Sequence, residues 1–216
     1  MPACIDLEMD DDGISPRFDQ SALITIDTQI DTLDGQPLEI PGTTAALPAI
    51  ATLTQSFRES GRPIIHVVRL YLADGSNAEP SRSSRVSGDT HPSSRARGRL
   101  IAPEILGDVP AELDEDLLLS GGIQSLGPNE VVVFKPRWGA FFQTLLEGHL
   151  ERNGVSTLVF SGCNFPNCPR TSIYEASERD FRVVLARDAV SGLYDQGVDE
   201  LIGIWVTVMD TADIST

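Results

Sequence analysis

Cys168 lies in the stretch 161–174, Ser-Gly-Cys-Asn-Phe-Pro-Asn-Cys-Pro-Arg-Thr-Ser-Ile-Tyr, and a cysteine is a nucleophile only where its surroundings favour the thiolate. The apolar run Thr157, Leu158, Val159 and Phe160 before it reads as a short buried strand. Beyond it, Ile173, Ala176 and Ser177 share one helical face, so a helix is expected to begin near Cys168 and Pro169. Proline suits a first helical turn because its missing N–H would be unpaired there. Cys168 thus falls where free backbone N–H groups and the positive end of a helix dipole favour an anionic sulfur. Two more reactive side chains follow apolar runs: Asp27 comes after residues 22–26 and Lys135 after residues 131–134. In a parallel sheet those strand ends share one edge, where open α/β sheets hold their ligands. A thiol near neutral pH needs a base for its proton and a cation for the anion, and aspartate and lysine supply these. Gln29 stands close behind Asp27 on the same expected edge.

The elements that must position these residues alternate in type. Strands are expected over 22–26, 63–70, 131–134, 155–160, 182–186 and 204–209. Helices are expected over 44–58, 140–152, after Cys168 and near 199–203, with 103–119 partly irregular. Such alternation predicts an α/β fold, a three-layer αβα sandwich around a mainly parallel, about six-stranded Rossmann-like sheet. Residues 1–20 read as an acidic arm carrying Glu8, Asp10, Asp11 and Asp12, and 21–216 as a single domain. Residues 73–99 hold few large apolar side chains, a long loop of the kind that lines or covers a substrate.

The chain has 216 residues, a net charge of −16 and 41% hydrophobic residues, suited to one domain with a full core. Its acidity excludes nucleic acid as a partner, since phosphate contacts need clustered Lys and Arg. The same acidity has two readings, plain solubility and attraction of a cationic substrate. No apolar run is long enough to span a membrane and the first residues do not read as a signal sequence, so a cytoplasmic protein is expected. Three cysteines, Cys4, Cys163 and Cys168, form no disulfide framework. His66, His91 and His149 lack the close spacing of a metal site, so no metal is expected.

The three segments together resemble the isochorismatase-like cysteine hydrolase family, which includes nicotinamidases, N-carbamoylsarcosine amidase and streptothricin hydrolase. The resemblance spans about residues 22–209. It is carried by Ile26-Asp27-Thr28-Gln29, by Lys135-Pro136-Arg137-Trp138-Gly139-Ala140-Phe141, and by the turn from Gly162 to Cys168. It implies a Cys168, Asp27 and Lys135 triad and hydrolysis of an amide or lactam C–N bond through a thioester; no cofactor is expected. It implies a non-proline cis peptide at 163–164 (the alternative position is 165–166) and an oxyanion hole from the N–H groups of Asn164 and Cys168. Gln29, Trp138 and Phe141 become candidate substrate contacts. The substrate would be a small amide, and a cationic one such as streptothricin would suit the acidity. Asn164-Phe165-Pro166-Asn167 and Pro169 depart from the family's usual residues and reshape the pocket floor. The Asp-x-His metal motif that nicotinamidases of this family carry after the second strand is missing around 66–74, so metal-free chemistry is expected. Relatives and apolar positions on peripheral helices point to a homo-oligomer, a dimer or tetramer. Two other classes remain: a thiol redox switch using Cys163 and Cys168, and a non-catalytic small-molecule binder.

Overall fold

A computed structural model of the chain describes residues 13–72, 74–80, 97–109 and 112–216. Seven strands form one sheet in the order β3-β4-β2-β1-β5-β6-β7. They are β1 (Ser21–Ile26), β2 (Ile64–Val68), β3 (Ile123–Gly127), β4 (Glu130–Phe134), β5 (Thr157–Gly162), β6 (Arg182–Val190) and β7 (Thr207–Met209). All pairings are parallel except β3 with β4. The sheet is therefore one strand larger than the expected six, and the addition is an antiparallel edge. Ile123–Gly127 escaped the sequence reading because its residues are half-buried or exposed and carry no continuous apolar run. β1 and β5 are buried along their whole length, as central parallel strands covered on both faces must be.

Helices cover both faces. On one side α1 (Thr43–Glu59), α2 (Pro103–Leu106) and α3 (Glu115–Leu119) pack Leu47, Ile50, Leu53, Phe57, Ile105 and Leu118 against Leu23, Ile64, Val132 and Val159. On the other, α4 (Leu146–Arg152), α5 (Cys168–Ser177) and α6 (Asp195–Ile202) pack Leu146, Leu150, Ile173, Ala176 and Leu201 against Ile24, Ile65, Val133 and Leu185. These are the three expected layers. The helix expected over 140–152 begins only at Leu146. Its first part is held open instead: the N–H of Ala140 donates to the Ser172 hydroxyl (3.0 Å) and that of Phe141 to the Glu175 carboxylate (2.9 Å). Gln143, at φ +54° in the left-handed region, interrupts any right-handed helix ahead of Leu146.

On the α1 side a polar line runs through the core. His66 bonds Thr25 through Nδ1 and Glu130 through Nε2, each at 2.8 Å, and Arg58 donates to both oxygens of Glu130. Burial works against ionisation of Glu130, but Arg58 and His66 outweigh it and hold the carboxyl down at about 2. Of the expected acidic arm, residues 1–12 lie outside the described residues. Arg17 to Gln20 are fastened to the sheet: the Arg17 N–H donates to the Thr157 hydroxyl (2.9 Å), and the Ser156 hydroxyl to the Gln20 side chain (2.9 Å). Most of the loop expected over 73–99 also lies outside the described residues. Among the described residues no helix is long and apolar enough to cross a membrane.

Candidate active site

The chain builds β2 and β4 to one side of β1, then crosses to place β5 on the other. Such a switch in direction opens a crevice beyond the carboxyl ends of the strands. Three segments meet there. Asp27 follows β1, Lys135 follows β4, and the turn after β5 delivers Cys168 as the first residue of α5.

The turn can form only with glycine at 162. Gly162 has φ +110°, and a Cβ there would lie 2.1 Å from the Ile26 carbonyl oxygen. That close approach lets the N–H of Cys163 donate to the same carbonyl at 2.8 Å. The peptide bond between Cys163 and Asn164 is cis. Further on, the N–H of Phe165 donates to the Ser191 carbonyl and that of Asn167 to the Asn164 carbonyl. The N–H groups of Asn164 and Cys168 donate to no acceptor among the described residues. Pro169 occupies the first turn of α5, as its missing N–H allows.

Lys135 is 1% exposed, so its ammonium needs a close partner. Its Nζ stands 2.9 Å from Asp27 Oδ2 and 3.2 Å from Cys168 Sγ, with the Arg137 carbonyl at 3.4 Å. Burial opposes its charge, yet Asp27 and Cys168 together push the ammonium's pKa above the usual lysine range. Asp27 Oδ1 is buried and accepts no hydrogen bond among the described residues. At Cys168 the balance differs from the sequence reading. Burial first, then the Asp27 carboxylate, push the thiol up to about 12, and Lys135 opposes them without prevailing. Burial and the neighbouring carboxylate thus work against the thiolate that the helix terminus favours.

The remaining expected residues divide. Gln29 does not offer its amide to the crevice: Nε2 donates to the carbonyls of Arg69 and Arg99, and Oε1 accepts from the Arg69 N–H. It ties β1 to the end of β2 and to residue 99. Phe141 is 5% exposed and packs on Phe181 (6.0 Å between ring centres) and under the Arg179 guanidinium (5.0 Å). Since Phe181 precedes β6, Phe141 belongs to the core toward the opposite edge of the sheet, which corrects the expectation of a pocket wall. Trp138 is half-buried and packs against the same core.

Other residues at the site went unnoticed in the sequence. Ser172 and Glu175 follow Cys168 by four and seven positions, hence share its helical face, and they hold residues 140 and 141 against the nucleophile's helix. Gly139 makes room for this, because a Cβ there would sit 2.1 Å from the Glu175 carboxylate. Arg69, beyond β2, donates to the Lys135 carbonyl (3.1 Å) and pairs with Glu79 (3.1 Å), its guanidinium over the Tyr71 ring. The spacing of Ser172 and Glu175 was available as a signal; nothing in sequence marks Arg69. Among the described residues, no group of three or more His, Cys, Asp or Glu is arranged to hold a metal ion.

The profile of the isochorismatase domain matches residues 21–213. The chain belongs to the isochorismatase-like cysteine hydrolase family. It is 28% identical over 180 residues to a probable inactive nicotinamidase of Arabidopsis thaliana, covering 82% of this chain and 84% of that one. It is 29% identical over 179 residues to the maleamate amidohydrolase of Pseudomonas putida, covering 78% and 71%. Among solved structures, an isochorismatase family protein from Desulfovibrio vulgaris superposes with a TM-score of 0.75 at 29% identity, over 89% of this chain and 95% of that one.

Proposed function

We propose that the protein is a cysteine amidohydrolase that cleaves a small amide or lactam at a C–N bond, using Cys168, Asp27 and Lys135 and no metal. One observation carries the reading: a single buried ammonium lies within 2.9 Å of a carboxylate and 3.2 Å of a sulfur, each delivered by a different strand end. As the thiol attacks the carbonyl carbon, its proton passes to Asp27 and the C–S bond forms. The oxyanion takes hydrogen bonds from the N–H groups of Asn164 and Cys168, each such donor contributing about 3 kcal/mol. Asp27 then gives its proton to the departing nitrogen as the C–N bond breaks. Water, deprotonated by Asp27, attacks the thioester, and the C–S bond breaks to release the acid and the thiol. Lys135 stays protonated throughout and balances the charge that moves between sulfur and carboxylate.

Gln29 acts in this reading by positioning the β1 end, and Trp138 remains the aromatic wall. The maleamate amidohydrolase relative supports a compact amide as substrate. Two buried carboxylates beyond the strand ends are matched by cations, Asp27 with Lys135 and Glu79 with Arg69. A cationic substrate such as streptothricin thus draws its support from the overall charge alone. Exposed Leu145, Ile202 and Trp205 support a homo-oligomer. The test is turnover of a panel of small amides, ureas and lactams, with mass-spectrometric capture of an acyl adduct on Cys168. Cys168→Ser is expected to fold and to lose at least a thousandfold in kcat; a fully active Cys168→Ser enzyme refutes the reading.

A further inference from the structure

Asp27 has φ +50°, the left-handed region that side chains with a Cβ rarely occupy. Aspartate enters that region more readily than most side chains, and here neighbours fix it. The bonds on its carbonyl show how. That oxygen faces three donors: the Gln29 N–H at 2.9 Å, the Cys163 thiol at 3.0 Å and the Thr32 hydroxyl at 3.3 Å. The Thr32 hydroxyl is shared with the Gln29 carbonyl at 2.7 Å. Cys163 also donates its own N–H to Ile26, so it binds two successive carbonyls at the end of β1 and extends the β1–β5 ladder by a side-chain bond. Cys163 is fully buried and Thr32 nearly so, which removes water as a rival donor.

We propose that Cys163 and Thr32 are positioning residues that fix the 27–28 peptide plane and thereby aim the Asp27 carboxylate at Lys135 and Cys168. The inference rests on the triad reading given above. It assigns the second buried cysteine a part in the site as a neutral S–H donor, which requires the thiol to stay protonated. Burial and Asp27 do that, pushing Cys163 up to about 12. Without the clamp the carbonyl can swing away, Asp27 relaxes toward the right-handed region, and its carboxylate leaves the ammonium. The base would then be mis-aimed, while the groups expected to meet substrate and the oxyanion keep their places. The loss should therefore fall on kcat, not on KM.

The experiment compares Cys163→Ala, Cys163→Ser, Thr32→Val and Thr32→Ser, reading kcat and KM on an amide found by the screen. It also reads the rate of iodoacetamide alkylation at Cys168 by peptide mass at pH 8. Cys163→Ala is expected to lose ten- to a hundredfold in kcat with KM within about twofold. Cys168 alkylation should accelerate, because a carboxylate that suppresses the thiolate has moved off. Cys163→Ser keeps a donor and should restore most of kcat; Thr32→Val should show a smaller loss, rescued by Thr32→Ser. If Cys163→Ala does not fold, the Thr32 pair carries the test with the same directions. Unchanged kcat and alkylation in the alanine and valine variants overturn the proposal, as does a Cys163→Ser enzyme no better than Cys163→Ala, which would mean packing alone. Alkylation needs no substrate, so failure of the amidohydrolase reading would appear separately, as turnover surviving Cys168→Ser.

Discussion

Replacing Asp27 by asparagine should silence turnover while making Cys168 more reactive toward an external electrophile. Lys135 Nζ lies 2.9 Å from Asp27 Oδ2 and 3.2 Å from Cys168 Sγ, so carboxylate oxygen and sulfur are at most about 6 Å apart. A unit charge at about 6 Å in a medium of effective dielectric about 20 contributes roughly 3 kcal/mol, or about 2 pH units of thiol ionisation. The sign follows from the causes: burial and the Asp27 anion raise the thiol and Lys135 lowers it, so removing the anion leaves the ammonium opposed by burial alone. At pH 8 the thiolate fraction should rise about a hundredfold. Nucleophilicity falls with the thiol's own basicity by about half on a logarithmic scale, which leaves alkylation about tenfold faster. The assay is iodoacetamide labelling of the Cys168 peptide between pH 6 and 10 in wild type and Asp27→Asn, beside a urea titration. The variant should lose about 3 kcal/mol of stability, because a buried ammonium no longer faces an anion. A folded Asp27→Asn protein labelled no faster than wild type would refute the electrostatic account of the site.

Two further outcomes follow from other parts of the molecule. Gly162→Ala should abolish folding or lower the urea midpoint sharply, since its Cβ would stand 2.1 Å from the Ile26 oxygen at a backbone φ of +110°; a soluble, fully active variant would count against the turn described here. The Glu130 carboxyl is held at about 2 against an ordinary 4.5, so its stabilisation is complete above pH 4.5 and disappears as pH falls through about 2. Glu130→Gln should cost about 3 kcal/mol at pH 7, and its urea midpoint should converge on that of wild type over that acid window.

The parts of the fold that sequence disclosed are those whose burial leaves no choice of residue. β1, β4 and β5 are apolar runs because both faces of a central strand are covered. β3 was invisible because an edge strand wets one side, and the start of α4 was misplaced because Phe142 and Leu145 repeat at helical spacing yet are exposed. Cys168, Asp27 and Lys135 were legible since each ends or follows such a run. Gln29 and Phe141 were misread for a shared reason. Residue type and a place near the edge do not tell which way a side chain turns, and here backbone carbonyls and a second aromatic ring claimed them. The Asp27 carbonyl clamp was equally hidden, because its donors lie 5 and 136 residues away.

The order of strands also governs what can occupy position 135. β2 stands between β1 and β4, so a cation rooted beyond β4 and the group it meets beside β1 must together bridge two interstrand spacings, about 10 Å. A long unbranched stem accomplishes that; an imidazole cannot, whatever its charge. Transplanting this trio into a sheet where the donor strand adjoined β1 would therefore call for a shorter residue, and the choice of lysine here is as much a measure of span as of basicity.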